Sequence, residues 1–437
     1  MTNQTATQPE EESELLAALA TAYEKSPYWR SRLIDLNIRD SDFAPGFPFH
    51  ELPLISKKDL LEDQNLHPPF GRILAVEPTK IRRIHRTSGT ISKPLIITLT
   101  DRDIADTYAV CRRAFQAAGI GPQDRIVHCL NFNMWSGGVT DYIPLEQVGA
   151  TCVPFGVGNT LTLIDMIRNL GINAIHSTPS YMFVLRDRCR DALGIDPREL
   201  GLTRGYFGGE GVLQVPGVRE EIEDAFDMKA FDANYGMSEV LSIVGGEDQD
   251  RNGLVHHGHG VVYTELVDAN GKSVKIEPGA RGELVFSSLR REAQPLFRYR
   301  TNDMAEVLSS SVAEDGLPRI RFRIVGRSDD MLVIKGLNFF PHSLLSIFPQ
   351  FEREVGREFR VVRPKATDTG PIIVALETEL ANENEKSELA ARIRNKINAT
   401  FHFTVEIRWF EPGTIPRSDN KARFVVDSVD SLTKAGG

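Results

Sequence analysis

The sequence predicts an α/β protein: a large N-terminal domain of α/β subdomains plus a β-rich subdomain, followed by a small α+β lobe. Three observations carry this prediction. Short apolar strand patterns alternate with helical ones from about residue 100 to 234, the mark of a parallel sheet covered on both faces. After about residue 255 the pattern becomes period-two strands around an Asn270-Gly271 turn. From about residue 342 the signals run helix, strand, strand, helix, strand, the order of a ferredoxin-like lobe of about 110 residues.

Taken in order, residues 1–10 read as disordered, and residues 12–35 as helical with a break at Pro27. A loop spans Pro45 to Pro53, and Ser56 opens a capped helix. Ile81 to Thr100 reads as strand, glycine-containing loop, strand; Thr100 or Asp101 then caps a helix to about Ala118. Strands are expected at Arg125–Leu130, from Ala174, at Thr203–Phe207 and at Ala230–Ala233. Helices are expected at Leu161–Leu170, with Leu161, Ile164 and Ile167 on one face, and at Val218–Phe226. Further strands follow at Val261–Val267, Gly282–Ser287 and Arg319–Val325, then a helix at about 342–354 and the remaining lobe elements.

A chain of 437 residues exceeds what one core serves, so two or three domains are expected. Its 51 basic and 60 acidic side chains leave a net charge of −9, which offers no electrostatic basis for binding nucleic acid. No apolar run is long enough to span a bilayer, and the first residues lack the basic start and apolar stretch of a secretory signal. The four cysteines form no C-x-x-C pair, so free thiols in a reducing cytoplasm are expected.

Five short segments carry chemistry. The loop His85 to Pro94 packs Thr87, Ser88, Gly89, Thr90 and Lys93 together, donors suited to phosphate oxygens, although the spacing is not the Walker pattern. Asn234-Tyr235-Gly236-Met237-Ser238-Glu239 follows a strand; its aromatic ring suits an adenine face and its carboxylate suits magnesium. Tyr299-Arg300-Thr301-Asn302-Asp303 offers an acid at a strand end for ribose hydroxyls. Gly326 to Gly336 lies where the β-rich segment gives way to the last lobe and suits a hinge. Pro412 to Lys421 carries a lysine beyond a proline- and glycine-bearing loop. Each alone is equally well a polar turn, a linker or a solvated charge.

Together, in this order, the segments resemble the adenylate-forming superfamily of acyl-CoA synthetases, adenylation domains and luciferases, most closely its phenylacetate–CoA ligase branch. The resemblance runs from Pro27-Tyr28-Trp29-Arg30 to Lys421 and includes Ile84-His85, Thr178-Pro179-Ser180-Tyr181, Gly282 to Phe286 and Gly326 to Pro341. It implies an AMP-binding domain over residues 1–326, a hinge at 327–330 around Asp329, and a lid domain over 331–437. It implies that Ser88, Gly89, Thr90 and Lys93 hold ATP phosphates, that Glu239 with Thr90 holds Mg²⁺, and that Tyr235 covers the adenine. Gly208-Gly209-Glu210 would line its other side, in company with Asn234, Gly236, Met237 and Ser238; Asp303 and Arg327 would bind the ribose end. Lys421 matches the lysine that stabilises the adenylation transition state, and Lys335-Gly336 the wall of the coenzyme A tunnel.

Two departures stand out in the phosphate loop, where Ile91 and Ser92 replace a threonine and a glycine of the family pattern. Ala313-Glu314-Asp315-Gly316 stands where some relatives carry cysteines, which argues against zinc there. The acid pocket maps to Asn131–Gly138: Phe132, Trp135, Ser136 and Gly137, with Tyr181 and Phe207 as further walls. Because His128, Asn131 and Asn133 are polar, the expected acid is aromatic with a hydroxyl, amino or second carboxyl group. His256, His257 and His259 read as a solvated turn rather than a metal site. The expected function is ATP-dependent activation of an aromatic acid and transfer to coenzyme A. Transfer to an amine or carrier protein, and a non-catalytic nucleotide-binding descendant, stand as alternatives. Relatives with so short an N-terminal region are often homodimers, and the resemblance implies the same here.

Overall fold

The computed structural model describes residues 9–87, 94–133, 136–312, 318–330, 332–334, 337–351, 354–356, 358–363, 371–416, 424–429 and residue 432. Two compact units emerge, one formed by Met1–Gly209 with Ile222–Ile324, the other by Glu210–Glu221 with Val325–Gly437. Among the described residues no helix is long and apolar enough to cross a membrane.

The first unit begins with helix α1 (Pro9–Lys25) and helix α2 (Pro27–Asp35). Pro27 does break the helical pattern: it sits in the first turn of α2, behind Ser26, whose hydroxyl caps Trp29 N–H. Trp29 is buried; its indole N–H donates to Pro295 O at 2.8 Å and its ring meets Phe297 edge-on at 5.0 Å. Ser56 caps α3 (Lys57–Leu66) in a reciprocal box with Asp59. Thr100 does the same for α4 (Asp101–Ala117) with Asp103.

A parallel five-stranded sheet follows, with α5 (Ser136–Gln147), α6 (Thr160–Asn169), α7 (Pro179–Leu193) and α8 (Val218–Phe226) between its strands. The strands lie in the order Thr151–Pro154, Arg125–His128, Ala174–Ser177, Arg204–Gly208, Lys229–Asn234. The first of these in sequence, Arg125–His128, has the second on one side and the third on the other. The topological switch point therefore lies between Arg125–His128 and Ala174–Ser177, where open α/β sheets bind ligands beyond the carboxyl ends. On α6 the buried face is Leu163, Ile164 and Ile167, while Leu161 stays 44% exposed; the expected face is right except for that first-turn residue.

The second sheet of this region is largely antiparallel. Its order is Ser273–Val274, Val262–Val267, Arg281–Ser288, Tyr299–Val312, Pro318–Arg327, Leu254–His256, Gly245–Gly246. Tyr299–Val312 is one long strand, so Asp303 sits inside it rather than at its end. The register breaks between Glu283 and Val285 opposite this point.

The second unit holds a four-stranded sheet in the order Val405–Phe410, Ile372–Glu377, Phe359–Val362, Val425–Val426, packed with helix α9 (Glu383–Phe401). Leu389, Ile393 and Ile397 of α9 are buried against Val361, Val374 and Val405 of the sheet. The helix expected at 342–354 is instead two 3₁₀ segments, Pro341–Ser346 and Phe348–Phe351. A proline at position 349 has no N–H to continue an α-helix.

Candidate nucleotide and acid site

The turn Asn234–Glu239 leaves the carboxyl end of the edge strand Lys229–Asn234. Its geometry allows only glycine at two nearby positions. A Cβ on Gly236 would come within 2.2 Å of Ser242 O, and one on Gly208 within 2.4 Å of Asn234 Cβ. Neighbouring strands can close on each other there only because both side chains are absent.

Each polar group of the turn is tied to a distant element. The Asn234 side-chain amide donates to Asp141 on α5, and Ser242 Oγ donates to the other oxygen of Asp141 at 2.8 Å. Tyr235 Oη donates to Asp303 Oδ2 at 2.9 Å. Ser238 Oγ and Ser136 Oγ are 2.8 Å apart, joining the turn to the first residue of α5. Glu239, 8% exposed, forms an ion pair with Lys57 Nζ at 3.2 Å. Of these partners, the sequence motifs include Asp303 and Ser136 but not Asp141, Ser242 or Lys57. Lys57, as the first residue of α3, had no motif of its own, and Asp141 reads as an ordinary helix acid.

Asp141 is completely buried, and burial pushes its carboxyl up to about 8, against the opposing pull of the two donors. Asp303 is 7% exposed and its N–H donates to Thr301 Oγ1 at 2.9 Å. In the second unit, Arg327 grips Asp329 with two hydrogen bonds of 2.9 Å each. Glu210 belongs to that unit as well, whereas Gly208 and Gly209 belong to the first.

The acid segment lies at the switch point. Phe132 is 37% exposed and packs on His128 and Tyr142 at 5.3 and 5.9 Å; Ser136 and Gly137 are buried at the start of α5. Tyr181 is half-buried with its hydroxyl 3.1 Å from Thr160 Oγ1. Phe207 is fully buried, its ring against the position a Gly205 Cβ would take. Asn131 Oδ1 is already taken by the Asn133 N–H at 2.8 Å. Behind Phe132, His128 and His176 lie fully buried with their Nδ1 atoms 2.8 Å apart, and the rings stack at 4.9 Å. Burial holds His128 well below the usual imidazole range and His176 down to about 3, so both are neutral.

The histidine turn differs from its sequence reading. His256, His257 and His259 are buried rather than solvated, because Leu254–His256 pairs with Gly245–Gly246 within the sheet. His256 Nε2 lies 2.9 Å from Thr264 Oγ1 and His257 Nε2 lies 3.2 Å from Gly246 O. Burial lowers His256 to about 3 and His257 to about 4.

Ser88, Gly89, Thr90, Lys93, Trp135, Lys335, Gly336 and Lys421 lie outside the described residues. The donor set for a divalent cation can still be tested at Glu239. Its carboxylate is nearly buried and already faces one cation, Lys57. Among the described residues no group of three or more His, Cys, Asp or Glu is arranged to hold an ion. One carboxylate with further oxygens from a bound phosphate is how magnesium is commonly held, so the residues fit that ion.

The chain belongs to the AMP-binding enzyme family, on its phenylacetate–coenzyme A ligase branch. The family model for AMP-binding enzymes matches residues 50–289, and the model for the AMP-binding enzyme C-terminal domain matches residues 336–428. Phenylacetate-coenzyme A ligase of Escherichia coli is 31% identical over 415 residues, covering 94% of this chain and 92% of the relative. The Aromatoleum evansii enzyme of that name is 30% identical, with 93% and 91% covered. Among solved structures, 2-hydroxyisobutyryl-CoA ligase in the postadenylation state superposes with a TM-score of 0.82 at 25% identity, over 98% of this chain and 92% of the other. An open form of that ligase with 2-HIB-AMP and CoA gives 0.68 at 26%, over 97% and 93%.

Proposed function

We propose that this chain activates an aromatic carboxylic acid with ATP, forms the acyl-adenylate with release of pyrophosphate, and transfers the acyl group to coenzyme A. The observation that carries the reading is the Asn234–Glu239 turn, whose tyrosine is tied to Asp303 and whose glutamate faces a cation. In this reading Tyr235 covers the adenine, with Gly208, Gly209, Glu210, Asn234, Gly236, Met237 and Ser238 around it. Asp303 accepts the ribose hydroxyls, and Arg327 supports the ribose end.

Glu239 and Thr90 would hold Mg²⁺, which when bound offsets phosphate charge and polarises the α-phosphoryl group. Lys57 lies 3.2 Å from Glu239 and would share its carboxylate with the cation, its ammonium standing within the same charged cluster. Ser88, Gly89, Thr90 and Lys93 cradle the β- and γ-phosphates. As the substrate carboxylate attacks the α-phosphorus, Lys421 stabilises the negative charge that grows on the phosphoryl oxygens. The lid domain then turns about Asp329 and brings Lys335 and Gly336 to the thiol entrance. Domain limits of 1–326, 327–330 and 331–437 belong to the same reading. So do a homodimer and a reducing, cytoplasmic setting, the latter supported by four free cysteines.

In the same reading Phe132, Trp135, Ser136, Gly137, Tyr181 and Phe207 form the acid pocket. The relatives are named for phenylacetate. A ring bearing a hydroxyl, amino or second carboxyl group suits the exposed Asn133 at this end of the sheet. Pyrophosphate release across a panel of acids tests this, and a clear preference for unsubstituted phenylacetate would overturn the polar-ring reading. Mass spectrometry for the thioester after addition of coenzyme A separates this function from transfer to an amine or carrier. Lys421→Ala is expected to slow adenylate formation by about a hundred- to a thousandfold while leaving thioester formation from supplied adenylate largely intact. Equal loss of both steps would contradict the exchange of lids.

A further inference from the structure

The carboxylate of Asp303 meets a residue from the turn that follows the strand Lys229–Asn234. We propose that Tyr235 is a positioning residue for ribose recognition: its hydroxyl sets the Asp303 carboxylate in the orientation that the 2′- and 3′-hydroxyls of ATP require. The inference rests on the reading of Asp303 as the ribose acid, and it gives the tyrosine a task that its ring alone does not perform.

The main chain at Asp303 is fixed locally. Its N–H donates to Thr301 Oγ1, and Thr301 Oγ1 donates to Leu284 O at 2.8 Å, beside the register break. Asn302 adopts a φ of 61°, so the chain turns sharply just before the acid. These contacts hold the backbone but leave the direction of the carboxylate to be set by the side chain's own partners. Tyr235 Oη donates to Oδ2 at 2.9 Å.

Tyr235 is itself a firm anchor. Its N–H donates to Gly245 O at 2.8 Å, and its carbonyl accepts from Val244 N–H at 2.7 Å. Its ring meets Phe322 edge-on at 5.7 Å. A hydrogen bond from such a residue to a carboxylate is of the stronger, charge-assisted kind. A carboxylate has about four lone-pair sites, so the phenol and both ribose hydroxyls can be accepted together. Fixing the acid before the nucleotide arrives removes an ordering cost from binding. One residue would thus couple recognition of the base to recognition of the sugar.

The test uses the full chain and pyrophosphate release with ATP, 2′-deoxy-ATP and 3′-deoxy-ATP. Tyr235→Phe keeps the ring and removes the donor. It is expected to lower kcat/KM for ATP about tenfold, carried by KM, and to shrink the preference for ATP over both deoxy nucleotides by a similar factor. Asp303→Ala is expected to erase that preference. If Tyr235→Phe keeps the full preference while Asp303→Ala erases it, the positioning role is wrong and the ribose reading stands. If Asp303→Ala keeps the preference, the ribose reading itself falls. Should the Phe variant be too unstable to assay, Tyr235→His, which retains a ring donor, is compared with Tyr235→Leu. A larger preference in the His variant supports the role, and equal preferences overturn it.

Discussion

The two ends of the candidate site are built on opposite electrostatic plans. Around the Asn234–Glu239 turn, polar side chains meet partners: Lys57 faces Glu239, Tyr235 donates to Asp303, and Asn234 and Ser242 both donate to Asp141. At the switch point, behind Phe132, the buried imidazoles of His128 and His176 are uncharged and stack on each other, with the His128 ring tilted against Phe132. Under the proposed function, one end would take the nucleotide and the other the acid. A triphosphate with its cation calls for fixed charges and aimed donors, whereas an aromatic ring calls for shape and a low charge density.

The largest effect is expected at Glu239. Glu239→Gln removes the charge on the nucleotide side and leaves Lys57 without its partner. Pyrophosphate release is expected to fall by about a hundredfold or more, with a shifted dependence on added Mg²⁺; a near-normal rate would remove Glu239 from the cation site. Next comes Asp141→Ala, which leaves the Asn234 amide and the Ser242 hydroxyl without their acceptor in a fully buried place. A loss of about 2–4 kcal/mol in urea unfolding is expected, together with a raised KM for ATP.

Asp141 also carries a pH signature. Its folded pKa of about 8 lies above the unfolded value of 3.8. The folded state therefore binds the proton more tightly, and this contribution is full below about pH 4 and is lost as pH rises through about 8. Asp141→Asn should flatten the fall in stability between about pH 4 and 8 relative to the parent; an unchanged profile would mean the acid is ionised throughout.

On the acid side the sign reverses. His176 has a folded pKa of about 3, below the usual 6.5, so its contribution is present above pH 6.5 and is lost as pH falls toward 3. His128→Phe with His176→Phe replaces both partners by apolar rings of similar shape. Stability at pH 7 is expected to move by only about 1 kcal/mol, and the acid-side drop should become shallower. A collapse of the double variant at pH 7 would show that the pair does more than fill space. The smallest effect is expected from Phe132→Ala at the exposed mouth: a change of a few-fold in the ranking of acids, with KM for ATP unaltered.

Most of the elements of this protein are determined locally and can be read from its residues. Ser26 before Pro27, Ser56 with Asp59, and Thr100 with Asp103 cap helices through contacts three residues apart, and strand alternation survives without knowledge of the partner strand. The order of the five motifs is likewise a property of the chain, which is why the family was legible. The failures share a cause. Leu161 and residues 342–354 depart from the expected pattern because periodicity does not reveal which neighbour covers a turn or where position 349 lacks a donor. The histidine turn looked solvated because its burial comes from pairing with Gly245–Gly246. Lys57 against Glu239 and Asp141 against Asn234 are contacts between elements far apart in the chain, the latter 93 positions apart. Motif order thus determined the kind of chemistry, through residue types kept at short spacing. Only the tertiary structure decided which charges meet and which imidazoles stay neutral, because burial and partner distance are set by packing between distant segments.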